Sequence, residues 1–95
     1  MTELDGIWDV RRVSGALPPL AGVRKEIDGA RGETVVGGGR GLSFEVRGLE
    51  LHYRTPLSFL VDVLEREGDG YSGRATAFGR TYGRFRLVRR MASPS

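Results

Sequence analysis

The sequence predicts an all-β fold: a small antiparallel up-and-down (meander) barrel of seven to eight short strands. Three observations carry that reading. Apolar residues recur at a spacing of two and nowhere at helical spacing. Glycines interrupt the chain every eight to twelve residues, the rhythm of a sandwich or barrel. Turn dipeptides such as Asp28-Gly29 join successive segments through links short enough for hairpins. Closing such a sheet on itself removes its edges.

The first strand covers residues 7–14. Residues 16–21, Ala-Leu-Pro-Pro-Leu-Ala, follow as an apolar loop, because consecutive prolines forbid a helix interior and a central strand. Residues 23–27 form a short strand ending at Asp28-Gly29, and residues 33–36 form another, stopped by Gly37-Gly38-Gly39. The middle of the chain is clearest. Leu42, Phe44 and Val46 alternate with Ser43, Glu45 and Arg47, and Leu49, Leu51 and Tyr53 alternate with Glu50, His52 and Arg54, with Gly48 as the corner between them. Thr55-Pro56 turns the chain into a strand at 59–65, and the hairpin signal at 67–70 leads to one at 71–78. A kink or turn at Gly79-Arg80 precedes the last strand, 82–89, and residues 91–95 read as a frayed tail of this single domain, 1–95. An eight-stranded barrel encloses room for side chains or one small ligand, and strands this short favour a narrow or mostly filled lumen.

Composition excludes several classes. No apolar run approaches the roughly 20 residues of a spanning helix, so no membrane partner is expected. The acidic opening lacks the apolar core of a secretory signal, and the absence of cysteine removes disulfides, thiolate metal sites and a catalytic thiol; the expected compartment is the cytoplasm. Arginine outnumbers lysine fourteen to one, with Lys25 alone, and Asn and Gln are missing, a usage that fits either heat adaptation or a GC-rich genome. Charge is uneven: residues 70–95 hold six arginines and no acid.

Gly6-Ile7-Trp8 opens the first strand, and together with the meander pattern and the arginine-rich last strand it resembles the calycin superfamily of lipocalins, fatty-acid-binding proteins and avidin-like barrels. The resemblance implies that Trp8 sits at the closed end of the barrel, with an arginine of the last strand (Arg84, Arg86 or Arg89) across its ring. It also implies that the loop at 16–21 overhangs the barrel mouth, as plug or gate. The chain is much shorter than a lipocalin and lacks the two capping helices of a fatty-acid-binding barrel.

Among candidate chemical groups, Asp62 is the oddest, because Phe59-Leu60-Val61-Asp62-Val63-Leu64 is otherwise apolar on both faces. A buried carboxylate needs a partner, and arginine is the expected one. The apolar outer face that this segment implies, with Leu60 and Leu64, suggests a homodimer contact. His52, the only histidine, cannot make a histidine metal site by itself and alternates onto the wet face. Gly68-Asp69-Gly70-Tyr71-Ser72-Gly73 matches the spacing of a dinucleotide loop, but a strand follows it where a helix is required. No metal and no cofactor are expected.

The leading functional expectation is non-catalytic binding of a small apolar or amphipathic, even anionic, ligand. Phe44, Val46, Leu51, Tyr53, Val61 and Val63, with Leu42, would line the site, and Arg84 or Arg86 would meet the head. Alternatives are a filled homodimeric interaction module, or a small cyclase, isomerase or dehydratase using Asp62, Tyr53 and Arg86 as its acid/base set. Nucleic-acid binding through the arginines of the last two strands, with Tyr71, Phe78 or Tyr82 stacking bases, ranks below these.

Overall fold

The computed structural model describes residues 3–17, 20, 22–37 and 41–90. The expected tail at 91–95, the two prolines of the first loop and the Gly38-Gly39 pair lie outside the described residues. Eight antiparallel strands close into one barrel in sequence order. They are β1 (Gly6–Gly15), β2 (Val23–Asp28), β3 (Arg31–Val36), β4 (Leu42–Arg47), β5 (Glu50–Tyr53), β6 (Leu60–Glu67), β7 (Gly70–Ala77) and β8 (Arg80–Arg89). The all-β meander barrel is as the alternating pattern requires.

Three turns follow the glycine signals: Gly29, Gly48 and Gly68 all take positive φ at hairpin corners. Boundaries move where a ring needs space. β3 starts two residues earlier than its apolar pattern suggests, because Gly32 belongs to the strand and leaves room for the Phe44 ring, which a side chain there would strike. Gly73 gives the Phe85 ring the same clearance. β8 starts at Arg80, so that Phe78 lies in the turn rather than in β7.

The two ends of the barrel differ. At one end, the N-terminal segment straps across the lumen. Leu4 is fully buried, its carbonyl accepts the Trp8 indole N–H at 2.8 Å, and Glu3 binds Arg66 and the Tyr71 hydroxyl. Tyr71 stands edge-on to Trp8 with ring centroids 5.2 Å apart. Arg89 resolves the choice among the last-strand arginines: its guanidinium carbon lies 4.2 Å from the Trp8 ring centroid, and Nη1 donates to the Asp5 carbonyl. Gly6 is there for the same reason. Its φ is +130°, and a side chain would collide with the Arg89 guanidinium.

At the other end, β1, β3, β5 and β7 finish at Gly15, Val36, Tyr53 and Ala77 around the mouth. β1 pairs with β2 only through Gly6–Asp9, whereas it follows β8 from Trp8 to Gly15. The outer half of the β1–β2 seam is therefore unpaired, and Leu17 and Leu20 of the first loop border a cavity there with Val10 and Val23. Arg12 ties that loop down by donating to the carbonyls of Leu17 and Gly15.

Candidate binding site in the barrel lumen

Cross-strand register puts Leu51, Asp62, Ala75 and Gly83 in one row on the inner wall, and Lys25 and Thr34 in another. Lys25 occupies an inward slot of β2 between Val23 and Ile27 and is only 3% exposed. Its ammonium forms an ion pair with Asp62 Oδ2 at 3.0 Å and donates to Thr34 Oγ1 at 2.6 Å and Tyr53 Oη at 2.8 Å. The Tyr53 hydroxyl donates to Asp62 Oδ2 at 3.2 Å, so the Thr34 hydroxyl, 2.6 Å from Tyr53 Oη, donates to Tyr53. All three ammonium protons and both hydroxyl protons are thereby used. Three aromatic rings, Phe44, Tyr53 and Phe85, stand 5.4–5.5 Å from the ammonium and complete its surroundings with cation–π contacts.

Charge states follow from this packing. Burial pulls the Lys25 pKa down, but Tyr53 and Asp62 outweigh it and hold the pKa above its ordinary value, so the side chain is an ammonium. Burial raises the Tyr53 pKa, with Lys25 opposing and Asp62 reinforcing, so Tyr53 is a neutral phenol and a donor. Burial likewise raises Tyr82 at the mouth, and the Asp62 charge adds to it.

Above this network lies a cavity of about 110 Å³. Lys25, Thr34, Tyr53 and Asp62 form its polar floor, Val10, Ala75 and Phe85 its walls, and Leu17, Leu20, Val23 and Tyr82 its roof. Leu17 rests on Gly83, where a side chain would displace it. Asp62 is the asymmetric member of the floor. Oδ2 takes both the Lys25 and Tyr53 bonds, whereas Oδ1 has no hydrogen-bond partner among the described residues and is not sealed from solvent. A larger groove of about 500 Å³ crosses the outer faces of β1–β4 past Ile7, Glu26, Arg31 and Glu33, but it is open to solvent along its length.

The expected site residues divide. Tyr53 and Asp62 are brought together and border the cavity. Phe44, Val46 and Leu51 face inward but are packed into the core, because large rings fill a barrel this short. Val61 and Val63 are corrected: they flank Asp62 and Leu64 on the opposite, outer face of β6. Arg84 and Arg86 are also outside; Arg84 is exposed and Arg86 pairs with Glu67, so neither meets a lumen ligand nor joins Asp62 in catalysis. The partner of Asp62 is a lysine, where arginine was expected. Leu60 and Leu64 do not make an outer dimer face either, since Leu64 is buried in the core and Leu60 packs against it. Leu42 is half-exposed at the rim, and His52 lies outside, bonded to Glu50 at 2.8 Å.

Sequence reasoning missed Lys25 and Thr34. The available signal was that Lys25 interrupts the apolar alternation of Val23 and Ile27 and is the one lysine among fourteen arginines. Fold and site together define a closed eight-stranded meander barrel with a charged, hydrogen-bonded lumen. No protein-family model matches the chain, and no curated protein or solved structure matches it either.

Proposed function

We propose that this barrel binds, without chemical turnover, one small amphipathic molecule that carries a hydrogen-bond donor. A single observation supports the reading: Asp62 Oδ1 is an unfilled acceptor on the floor of a cavity whose walls and roof are largely apolar. A ligand hydroxyl or amine can donate to this solvent-accessible oxygen while its apolar part packs against the walls and roof. The volume is slightly below the ~150 Å³ of a cavity that accepts benzene, so the fit is a molecule of about half a dozen heavy atoms. With Lys25 already compensated by Asp62 and both arginines outside, a neutral or cationic head suits the site better than an anionic one. The calycin resemblance is supported by Trp8 at the strapped end with Arg89 across its ring, and it agrees with a ligand entering at the opposite end.

Fragment screening by protein-observed NMR tests this. Small alcohols, phenols and amines are expected to shift the amides around Asp62 and Ala75, and matched ethers to bind at least about tenfold more weakly for want of the donor. Ala75→Val, which fills the cavity and leaves the polar floor intact, is expected to abolish the shifts. Equal binding by ethers and alcohols, or binding unaffected by Ala75→Val, would rule the site out.

Proton-transfer chemistry is the second reading, favoured by the 3.2 Å approach of the Tyr53 hydroxyl to Asp62. It ranks lower because Oδ2 is already occupied by Lys25 and Tyr53, leaving only Oδ1 to take a substrate proton. Turnover of a ligand found in the screen, abolished by Tyr53→Phe while binding persists, would move the assignment to an enzyme.

A further inference from the structure

The exposed apolar side chains are unevenly distributed. Of seven large ones exposed among the described residues, six (Val13, Val36, Leu42, Phe59, Phe78 and Tyr82) lie within two residues of a strand terminus at the open end. Charge is divided the opposite way. Nine of the twelve acidic residues lie in the strap, in the turns or within two residues of a strand terminus at the strapped end, while the Glu33 carboxylate turns to Gly41 at the rim. The other two are Asp9 and the buried Asp62. The open end carries Arg54 and Arg80, both exposed and without a carboxylate partner among the described residues, and Arg84 stands opposite Arg74 just below them. The barrel is thus an electric dipole whose positive, apolar end is its mouth.

Phe78 shows that this rim is more than incidental exposure. It is 80% exposed and has φ +53°, a left-handed conformation that a bulky side chain rarely adopts and that Asn or Gly takes readily at this turn position. It stacks on Phe59 with centroids 4.7 Å apart and planes within 10°, forming an aromatic tip. Strain spent on presenting a ring to solvent points to a binding role.

We propose that the open rim docks on an anionic lipid bilayer, with the Phe59–Phe78 tip entering the headgroup–acyl boundary and Arg54 and Arg80 meeting acidic headgroups. Charge complementarity selects this occupant. Two copies meeting mouth to mouth would set Arg54 and Arg80 of one against those of the other. Stacking on nucleic acid would leave Val13, Val36 and Leu42 unused, and Arg86, Arg89 and Arg90 are already committed to Glu67, Trp8 and Asp9. A bilayer accepts aliphatic, aromatic and cationic groups together.

Co-sedimentation with vesicles tests it. The purified protein is expected to bind mixed phosphatidylcholine–phosphatidylserine vesicles, to bind pure phosphatidylcholine far less, and to be released by salt. Phe78→Asn should weaken binding about tenfold through loss of buried ring area, while its thermal midpoint holds or rises. Arg54→Ala and Arg80→Ala should each weaken it about fivefold. No binding to the acidic vesicles, or equal binding by Phe78→Asn, overturns the proposal. So does a lipid-free dimer that Phe78→Asn converts to monomer, which would make the rim a self-association surface. Tighter retention of the protein by a single-stranded oligonucleotide than by acidic vesicles overturns it as well.

Discussion

Lys25 Nζ stands 3.0 Å from Asp62 Oδ2, with both side chains more than nine-tenths buried. The two charges are energetically meaningful only as a unit. Removing either alone leaves the other desolvated, whereas removing both leaves Thr34 and Tyr53 still bonded to each other.

Lys25→Met is therefore expected to destabilise the fold by about 3–5 kcal/mol, while Lys25→Met combined with Asp62→Leu returns to near the parent stability or above it. Urea denaturation midpoints of the two single variants and the double variant check this. A double variant as unstable as the sum of the singles would show that the pair is not a closed unit.

Stability should fall in alkaline solution. The Lys25 and Tyr53 pKa values are both raised above ordinary values of 10.5 and 10.0. The folded state thus holds these protons more tightly than the unfolded state does. The stabilisation is complete below about pH 10 and is lost as pH rises through the folded pKa values. Thermal midpoints measured from pH 8 to 11.5 should decline above pH 10. Ultraviolet titration should find Tyr53 ionising only as the barrel opens; ionisation at an ordinary tyrosine pKa without unfolding would contradict the network.

The acid limb has its own reporter. Arg66 and Tyr71 hydrogen-bond the Glu3 carboxylate and hold its pKa below the ordinary 4.5. Its contribution is present above that value and is lost as pH falls through the folded pKa. Because the strap carries the Leu4 carbonyl that accepts the Trp8 indole proton, Trp8 fluorescence should change in that window. Glu3→Gln should shift the acid-induced change toward a pH-independent baseline.

Gly6→Ala should destabilise by about 1–3 kcal/mol, from the positive φ and the displaced Arg89 guanidinium together. Combined with Arg89→Ala, the substitution keeps the backbone penalty but loses the collision. The two changes are then expected to cost less together than the sum of their separate effects, which a double-mutant cycle reads directly.

Most of the fold was legible in the sequence because its strands alternate. Leu42 to Val46 and Leu49 to Tyr53 have one wet face, and Gly29, Gly48 and Gly68 mark their turns. β6 was not legible in the same way. With valine and leucine on both faces, period two leaves the phase open, and the placement of Asp62 inside and Val61 outside is set by pairing Leu51 with Asp62 across the sheet. The same ambiguity produced the dimer face at Leu60 and Leu64. Lys25 escaped because a cation in an inward slot is acceptable only once Asp62, Thr34 and Tyr53 arrive from three other strands, and no local pattern encodes that meeting.

The β1–β8 seam joins Trp8 to Arg89, so the barrel cannot close until β8 has been made. Every other pairing forms between neighbours in sequence and can zip as synthesis proceeds. At ribosomal rates, β1 waits on the order of ten seconds for its final partner. Throughout that interval one long strand edge is open. The risk of misassembly is concentrated in that wait, and a chain cut short within β8 never leaves it.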